Sequence, residues 1–120
     1  MHLTRRHFLM SSAGAVFACP SFAQTASKPQ VLKASVADVQ LLPEGYGQTS
    51  IWGYEGSTPG PEIRVVKGAR VQRTLLNEVP DPTSVHWHGI RIDNAMDGVS
   101  GLTQAAVKTG DTFEYDFVAP

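Results

Sequence analysis

Hydrophobic and polar residues alternate along several short stretches of this chain. Residues 112–118 place Phe113, Tyr115 and Phe117 at every second position, with charged residues between them. Because side chains two apart in a strand share a face, this alternation predicts a strand with an apolar and a wet face. Further strands are predicted within residues 31–42, 49–56, 59–79 and 81–92, which are separated by turns rich in Pro and Gly.

No stretch keeps a helical apolar period, so the pattern predicts an all-β sandwich or barrel. The chain has 120 residues, of which 42% are hydrophobic and 18% are charged, a balance typical of one globular domain. The formal net charge is -1 and no long run of one charge occurs, so neither a nucleic acid nor an anionic membrane is expected as a partner.

The first two dozen residues differ in character from the rest. They combine Arg5 and Arg6 with an apolar stretch at 8–18 and small residues near position 23. This pattern predicts a cleaved signal peptide over residues 1–23 and a mature domain over 24–120. The consecutive arginines further resemble a twin-arginine signal, which bacteria use to export folded proteins, so the expected location is the periplasm or the cell exterior.

Two other interpretations of the N-terminal segment stay open. A buried helix of the mature fold would have to bury Arg5 and Arg6 and accommodate Pro20 at its end. A lipid anchor at Cys19 would have Phe17 and Pro20 as awkward neighbours. The cleaved signal peptide accounts for the segment with fewer conflicts.

Residues 84–90, SVHWHGI, carry the chemistry of the predicted mature domain. His86 and His88 are its only histidines. An extended backbone directs both to one face and Trp87 to the other, while Gly89 is expected to permit close backbone approach. Imidazole nitrogen is a common metal ligand, so the pair indicates half of a metal site. The alternative, two histidines without a metal, is weakened by their shared register.

Four motifs, taken together and in this order, resemble the N-terminal, type 3 cupredoxin domain of laccase-like multicopper oxidases: PGPEI at 59–63, HWHGI at 86–90, DGVSGLTQ at 97–104 and KTGDTFEYDF at 108–117. The resemblance covers nearly all of residues 24–120 and implies a Greek-key, cupredoxin-like sandwich or barrel. Glu55 and Ala69 depart from the residues often found in the family, an asparagine and an acidic residue. Both lie in expected loops and bear on the subfamily rather than on the metal.

The resemblance also implies roles for single residues. His86 would ligate the type 2 copper and His88 one of the type 3 coppers in a trinuclear cluster that reduces dioxygen to water. Asp97 resembles the acidic residue that relays protons near the type 2 copper. The alternative is that Asp97 and Gly98 simply form a turn, which this dipeptide favours, and both descriptions can hold together.

The family's other ligands are missing from the sequence. They comprise further His-x-His pairs and the type 1 copper set, which needs a cysteine thiolate. We therefore expect the chain to be a truncated N-terminal part of a periplasmic oxidase, inactive alone, whose partners are its remaining domains, dioxygen and a small reductant. A non-catalytic cupredoxin-like envelope protein is the alternative, which His86 and His88 oppose. A small blue-copper carrier is disfavoured because the only cysteine, Cys19, precedes the predicted mature domain.

Overall fold

A computed structural model describes residues 29–120 of the chain. The predicted signal peptide at 1–23, including Cys19, lies outside the described residues. The described part contains four strands, β1 (Gln30–Val39), β2 (Thr49–Tyr54), β3 (Arg70–Asn77) and β4 (Thr112–Val118), and a short 3-10 helix at Asn94–Met96. The prediction of an all-β fold is confirmed.

The four strands form one mixed sheet in the order β2-β1-β3-β4. β1 pairs antiparallel with β2 and parallel with β3, and β3 pairs antiparallel with β4. Because β1 lies between β2 and β3 in the sheet, the connection from β2 to β3 must cross from one side of β1 to the other. β4 follows β3 only after residues 78–111, and this long connection carries the histidine pair.

One face of the sheet holds the hydrophobic core. Register places Leu75 of β3 between Leu32 of β1 and Phe113 of β4, and it places Val71 opposite Phe117. Leu75 is fully buried, with 0% of its surface exposed. The aromatic alternation in β4 therefore lies on the core side, as the sequence pattern predicts. The core is completed by three valines of the long connection, Val79, Val85 and Val107.

A buried asparagine ties the end of β3 to this connection. Asn77 is 0% exposed. Its side-chain amide donates to the carbonyls of Asp81 (3.0 Å) and Val107 (2.9 Å), and its Oδ1 accepts from the amide of Val79 (3.0 Å). Because all its polar atoms are satisfied, this residue holds two separate parts of the connection against the sheet without a desolvation penalty.

Two segments predicted as strands do not form ladders in the described structure. Residues 81–92 make only an isolated bridge between Thr83 and Val107, and then turn at His88 and Gly89. Residues 61–67 before β3 are also irregular. Alternation predicts an extended backbone but not which strand, if any, pairs with it. Both edges of β3 are already occupied, by β1 and β4.

Candidate metal centre

The two histidines lie side by side on the surface of the long connection. His86 Nε2 is 3.3 Å from His88 Nδ1, and their ring centroids are 5.4 Å apart. Trp87 points the other way and packs edge-on against Tyr115 and Phe117, with centroid distances of 5.6 and 5.0 Å. The shared face that the alternation predicts for the histidines is confirmed, although the segment is not part of a sheet.

Three successive inward amides hold this extended segment, and each binds a different element. Thr83 N donates to the carbonyl of Val107 (2.9 Å). Val85 N donates to the phenolic oxygen of Tyr115 (2.9 Å), and Trp87 N donates to the carbonyl of Asp97 (3.2 Å). The segment has the alternation of a strand, but its partner edge is assembled from three separate parts of the chain.

The carbonyl of Asp97 also fixes the ring of His86. His86 Nδ1 lies 2.8 Å from this oxygen. Since a carbonyl can only accept, Nδ1 donates in this contact, and Nε2 faces His88. A hydrogen bond of this kind is what usually orients a metal-ligating imidazole. The carboxylate of Asp97 is close as well, with Oδ2 3.5 Å from Nδ1.

Asp97 and Gly98 also form the bend that the turn alternative predicts. Asp97 ends the 3-10 helix by donating its amide to the carbonyl of Asn94 (3.2 Å). Gly98 follows with a φ of +83°. The bend therefore has a structural role, and the contact with His86 is added to it.

Gly98 is the position where two backbones approach most closely at the site. A Cβ there would overlap the carbonyl oxygen of Val85. Ser84 Oγ donates to the Gly98 carbonyl (2.6 Å) and holds the approach. The sequence-based expectation assigned close approach to Gly89, which is wrong for the described residues, because the space beside it is open. Gly89 is needed instead for its φ of +75° at the turn.

One buried phenol, that of Tyr115, and one half-buried phenol, that of Tyr54, line the inner side of the segment. Tyr115 accepts from Val85 N, and Tyr54 Oη donates to the carbonyl of Ser84 (3.3 Å). Burial raises the pKa of both tyrosines, so both phenols are neutral at ordinary pH. Sequence reasoning missed the role of Tyr115. The available clue was a hydroxyl on the same strand face as Phe113 and Phe117, where a buried O–H requires a partner.

The residues present fit part of a copper site. His86 Nε2 and His88 Nδ1 face each other at 3.3 Å, both residues are exposed, and imidazole nitrogen is a suitable copper donor. Within residues 29–120 no group of three or more His, Cys, Asp or Glu side chains is arranged to hold a metal ion.

Comparison with known proteins decides the family. The family model described as multicopper oxidase matches residues 35–120. The chain belongs to the multicopper oxidase family. Copper is the cofactor that this family implies, in agreement with the paired imidazole donors.

Individual multicopper oxidases resemble the chain over most of its described length. It is 43% identical over 67 residues to multicopper oxidase MmcO of Mycobacterium tuberculosis, covering 56% of this chain and 13% of that protein. It is 36% identical over 88 residues to Laccase-2 of Botryotinia fuckeliana, covering 71% of this chain and 15% of that protein. The chain thus spans about a seventh of the length of these curated relatives.

A solved structure supports the fold as well as the family. The crystal structure of Lac15 from a marine microbial metagenome superimposes with a TM-score of 0.73 and 47% identity, covering 77% of this chain and 25% of that one. The cupredoxin-like class predicted from the sequence is therefore confirmed. Within residues 29–120, no helix has the length and apolar character needed to span a bilayer.

Proposed function

We propose that this chain supplies two imidazole ligands to the trinuclear copper centre of an oxidase. The enzyme would couple one-electron oxidation of a small reductant to four-electron reduction of dioxygen to water. The observation that carries the proposal is the convergence of His86 Nε2 and His88 Nδ1 at 3.3 Å, with His86 oriented by the Asp97 carbonyl. Membership of the multicopper oxidase family supports the choice of copper.

Each histidine takes a separate role in this proposal. His86 binds the type 2 copper through Nε2, because its Nδ1 is engaged with Asp97. His88 binds one type 3 copper through Nδ1, the nitrogen that faces His86. When bound, the copper ions supply the one-electron redox chemistry that the protein side chains lack. Trp87, packed against Tyr115 and Phe117, holds the backbone between the two ligands.

Asp97 is proposed as a proton relay as well as a turn residue. Its side chain is 28% exposed, so it contacts solvent on one side and the ring of His86 on the other. A carboxylate placed between water and a reducing centre can accept protons from one and deliver them to the other. Its backbone carbonyl meanwhile keeps His86 in place.

The rest of the catalytic apparatus is proposed to come from polypeptide outside residues 29–120. This follows from the count of donors, which is too small for a copper cluster, and from the much greater length of the relatives. The remaining domains would provide the other cluster ligands, a type 1 copper and the pocket for the reductant. Cuprous ion, phenols and bilirubin-like pigments are the candidate reductants.

Export is the other part of the proposal. Residues 1–23 would act as a twin-arginine signal peptide that delivers the domain at 24–120 to the periplasm or cell exterior. Replacing Arg5 and Arg6 with lysines should leave the uncleaved protein in the cytoplasm. Fractionation and immunoblotting measure this, and unchanged export would contradict the twin-arginine route.

The ligand assignment is tested by His86→Ala and His88→Ala in the natural polypeptide that carries this chain. Each variant should lose oxygen uptake and cluster copper, while the thiolate-to-copper absorbance of the type 1 site stays. Lys67→Ala, in an exposed turn, serves as the control and should keep full activity. Turnover retained in either histidine variant would refute the assignment. A wild-type protein without copper or oxygen uptake would instead favour a non-catalytic envelope protein.

A further inference from the structure

We infer that Tyr115 is the positioning residue of the histidine pair. Its phenol accepts the backbone hydrogen bond that a neighbouring strand would accept if the His86–His88 segment were part of a sheet. The part of this inference that concerns copper rests on the proposed function. The part that concerns the backbone rests on the geometry alone.

The position of the phenol within the row of hydrogen bonds is the first argument. Thr83 N and Trp87 N, at the two ends of the row, are bound by backbone carbonyls. Val85 N, between them, is bound by the Tyr115 side chain at 2.9 Å and is buried. Val85 immediately precedes His86, so this bond fixes the backbone next to the first ligand.

Tyr115 touches the segment at a second point. Its ring packs edge-on against Trp87, with centroids 5.6 Å apart. Val85 and Trp87 flank His86 in the sequence, so one side chain holds the backbone on both sides of this ligand. Contact at two points restricts both sliding and twisting of the backbone around His86. A twist between His86 and His88 would separate the two imidazoles.

Tyr115 is itself immobilised by the core. Its residue surface is only 1% exposed, and its ring packs against Phe113 at a centroid distance of 4.7 Å. The residue lies in the middle of β4, paired with Arg73 of β3. The phenolic oxygen therefore transmits the position of the sheet to a segment that has no ladder of its own.

Tyr54 provides a matched comparison. Its hydroxyl also reaches the segment, but at 3.3 Å and at Ser84, two residues before His86. It is half-buried, and its bond is to a carbonyl rather than to an inward amide. It should hold the segment less firmly.

The experiment uses Tyr115→Phe in the copper-loaded natural polypeptide, because phenylalanine keeps the ring packing and removes only the hydroxyl. We expect copper at His86 to be held 10–100-fold less tightly against a competing chelator, the range typical for loss of a group that orients a ligand. The hyperfine splitting of the type 2 copper in electron paramagnetic resonance should change. In the copper-free protein, the Val85 amide should exchange with solvent at least 10-fold faster.

Two control variants separate positioning from general stability. Tyr54→Phe should alter copper retention less than Tyr115→Phe does. Leu32→Ala, in the core of β1 and remote in sequence from the histidines, should lower the unfolding temperature while leaving copper affinity and the type 2 spectrum unchanged. An equal loss of copper in Leu32→Ala would overturn the positioning role.

The remaining outcomes are also decisive. Copper affinity within twofold of wild type in Tyr115→Phe, together with unchanged exchange at Val85, would overturn the inference. If the wild-type protein binds no copper at His86, the proposed function fails. The exchange rate of Val85 then decides the backbone role by itself, with faster exchange in Tyr115→Phe supporting it and equal exchange rejecting it.

Discussion

The central sheet and the histidine segment are both extended, yet they are held in different ways. In the sheet, β3 has a strand on each side, and its inward residues pack with core residues of both neighbouring strands. In the histidine segment, the inward amides donate to the carbonyl of Val107, the phenolic oxygen of Tyr115 and the carbonyl of Asp97. The sheet is therefore held by repeated ladder pairs. The histidine segment instead depends on three unlike hydrogen bonds, each of which can be removed separately.

The histidine segment thus has strand geometry without being part of a ladder. Because the segment is not paired in a ladder, its outer edge and both imidazoles are accessible. The lack of a ladder also makes the spacing of the two imidazoles sensitive to single side chains.

The largest effect is expected in the sheet. Leu75→Ala should lower the free energy of unfolding by about 2–5 kcal/mol, because it leaves a cavity between β1 and β4. Chemical denaturation measures this loss. Leu76→Ala, at the next position but on the other, half-buried face, should cost clearly less. Equal losses would mean that the two faces of β3 do not differ in packing.

Gly98→Ala should disrupt the histidine segment. The added Cβ overlaps the Val85 carbonyl, and the φ of +83° disfavours alanine, so the expected cost is about 1–3 kcal/mol together with weaker copper binding. Gly101→Ala is the matched control, since its φ is +78° but the space beside it is open. If both variants behave alike, backbone strain alone accounts for the loss and the close approach does not matter.

Ser84→Ala removes one hydrogen bond between the segment and the bend. Loss of the 2.6 Å bond to the Gly98 carbonyl should cost about 0.5–1.5 kcal/mol and should also reduce the protection of the Trp87 amide from exchange. Ser35→Ala, on the face of β1 opposite the core residues Leu32 and Ala34, is the control and should leave that amide protected. Unchanged protection in Ser84→Ala would show that the serine does not hold the bend.

The smallest effect concerns an exposed ion pair at the sheet edge. Arg70 donates to both oxygens of Asp116, at 2.6 and 2.8 Å, and this lowers the pKa of that carboxyl below its usual 3.8. A lowered folded-state pKa means that the contribution is complete above the unfolded value and is lost as the pH falls through the folded one.

The measurement compares urea midpoints at pH 7 and at a series of pH values below 3.8. Arg70→Gln should lower the midpoint slightly at pH 7, and the difference from the wild type should shrink as the pH falls, because the pair contributes little once Asp116 is protonated. A difference that grows as the pH falls would contradict the sign of the pKa shift.

The sequence predicts the sheet better than it predicts the site. Alternation in β4 correctly places Phe113, Tyr115 and Phe117 on the core face, because burial of one face is a local property of the strand. Alternation at 81–92 correctly places the histidines on one face but wrongly predicts a ladder, because pairing depends on distant parts of the chain.

The supporting residues of the site are harder to read from the sequence than its ligands. The His-x-His spacing is visible directly, and the assignment to copper stays a prediction. The hydroxyl of Tyr115 and the carbonyl of Asp97 act across separations of 30 and 11 residues. No local pattern encodes such contacts, since they exist only once the chain is folded.

The separation between Val85 and Tyr115 has a kinetic consequence. The histidines precede β4 in the chain, but their backbone anchor, Tyr115, belongs to β4, and it follows Val85 by 30 residues. Contacts between distant residues form slowly because the intervening loop must first be closed. The imidazoles therefore reach their final spacing only after β4 has docked, so under the proposed function copper binds this pair after that step.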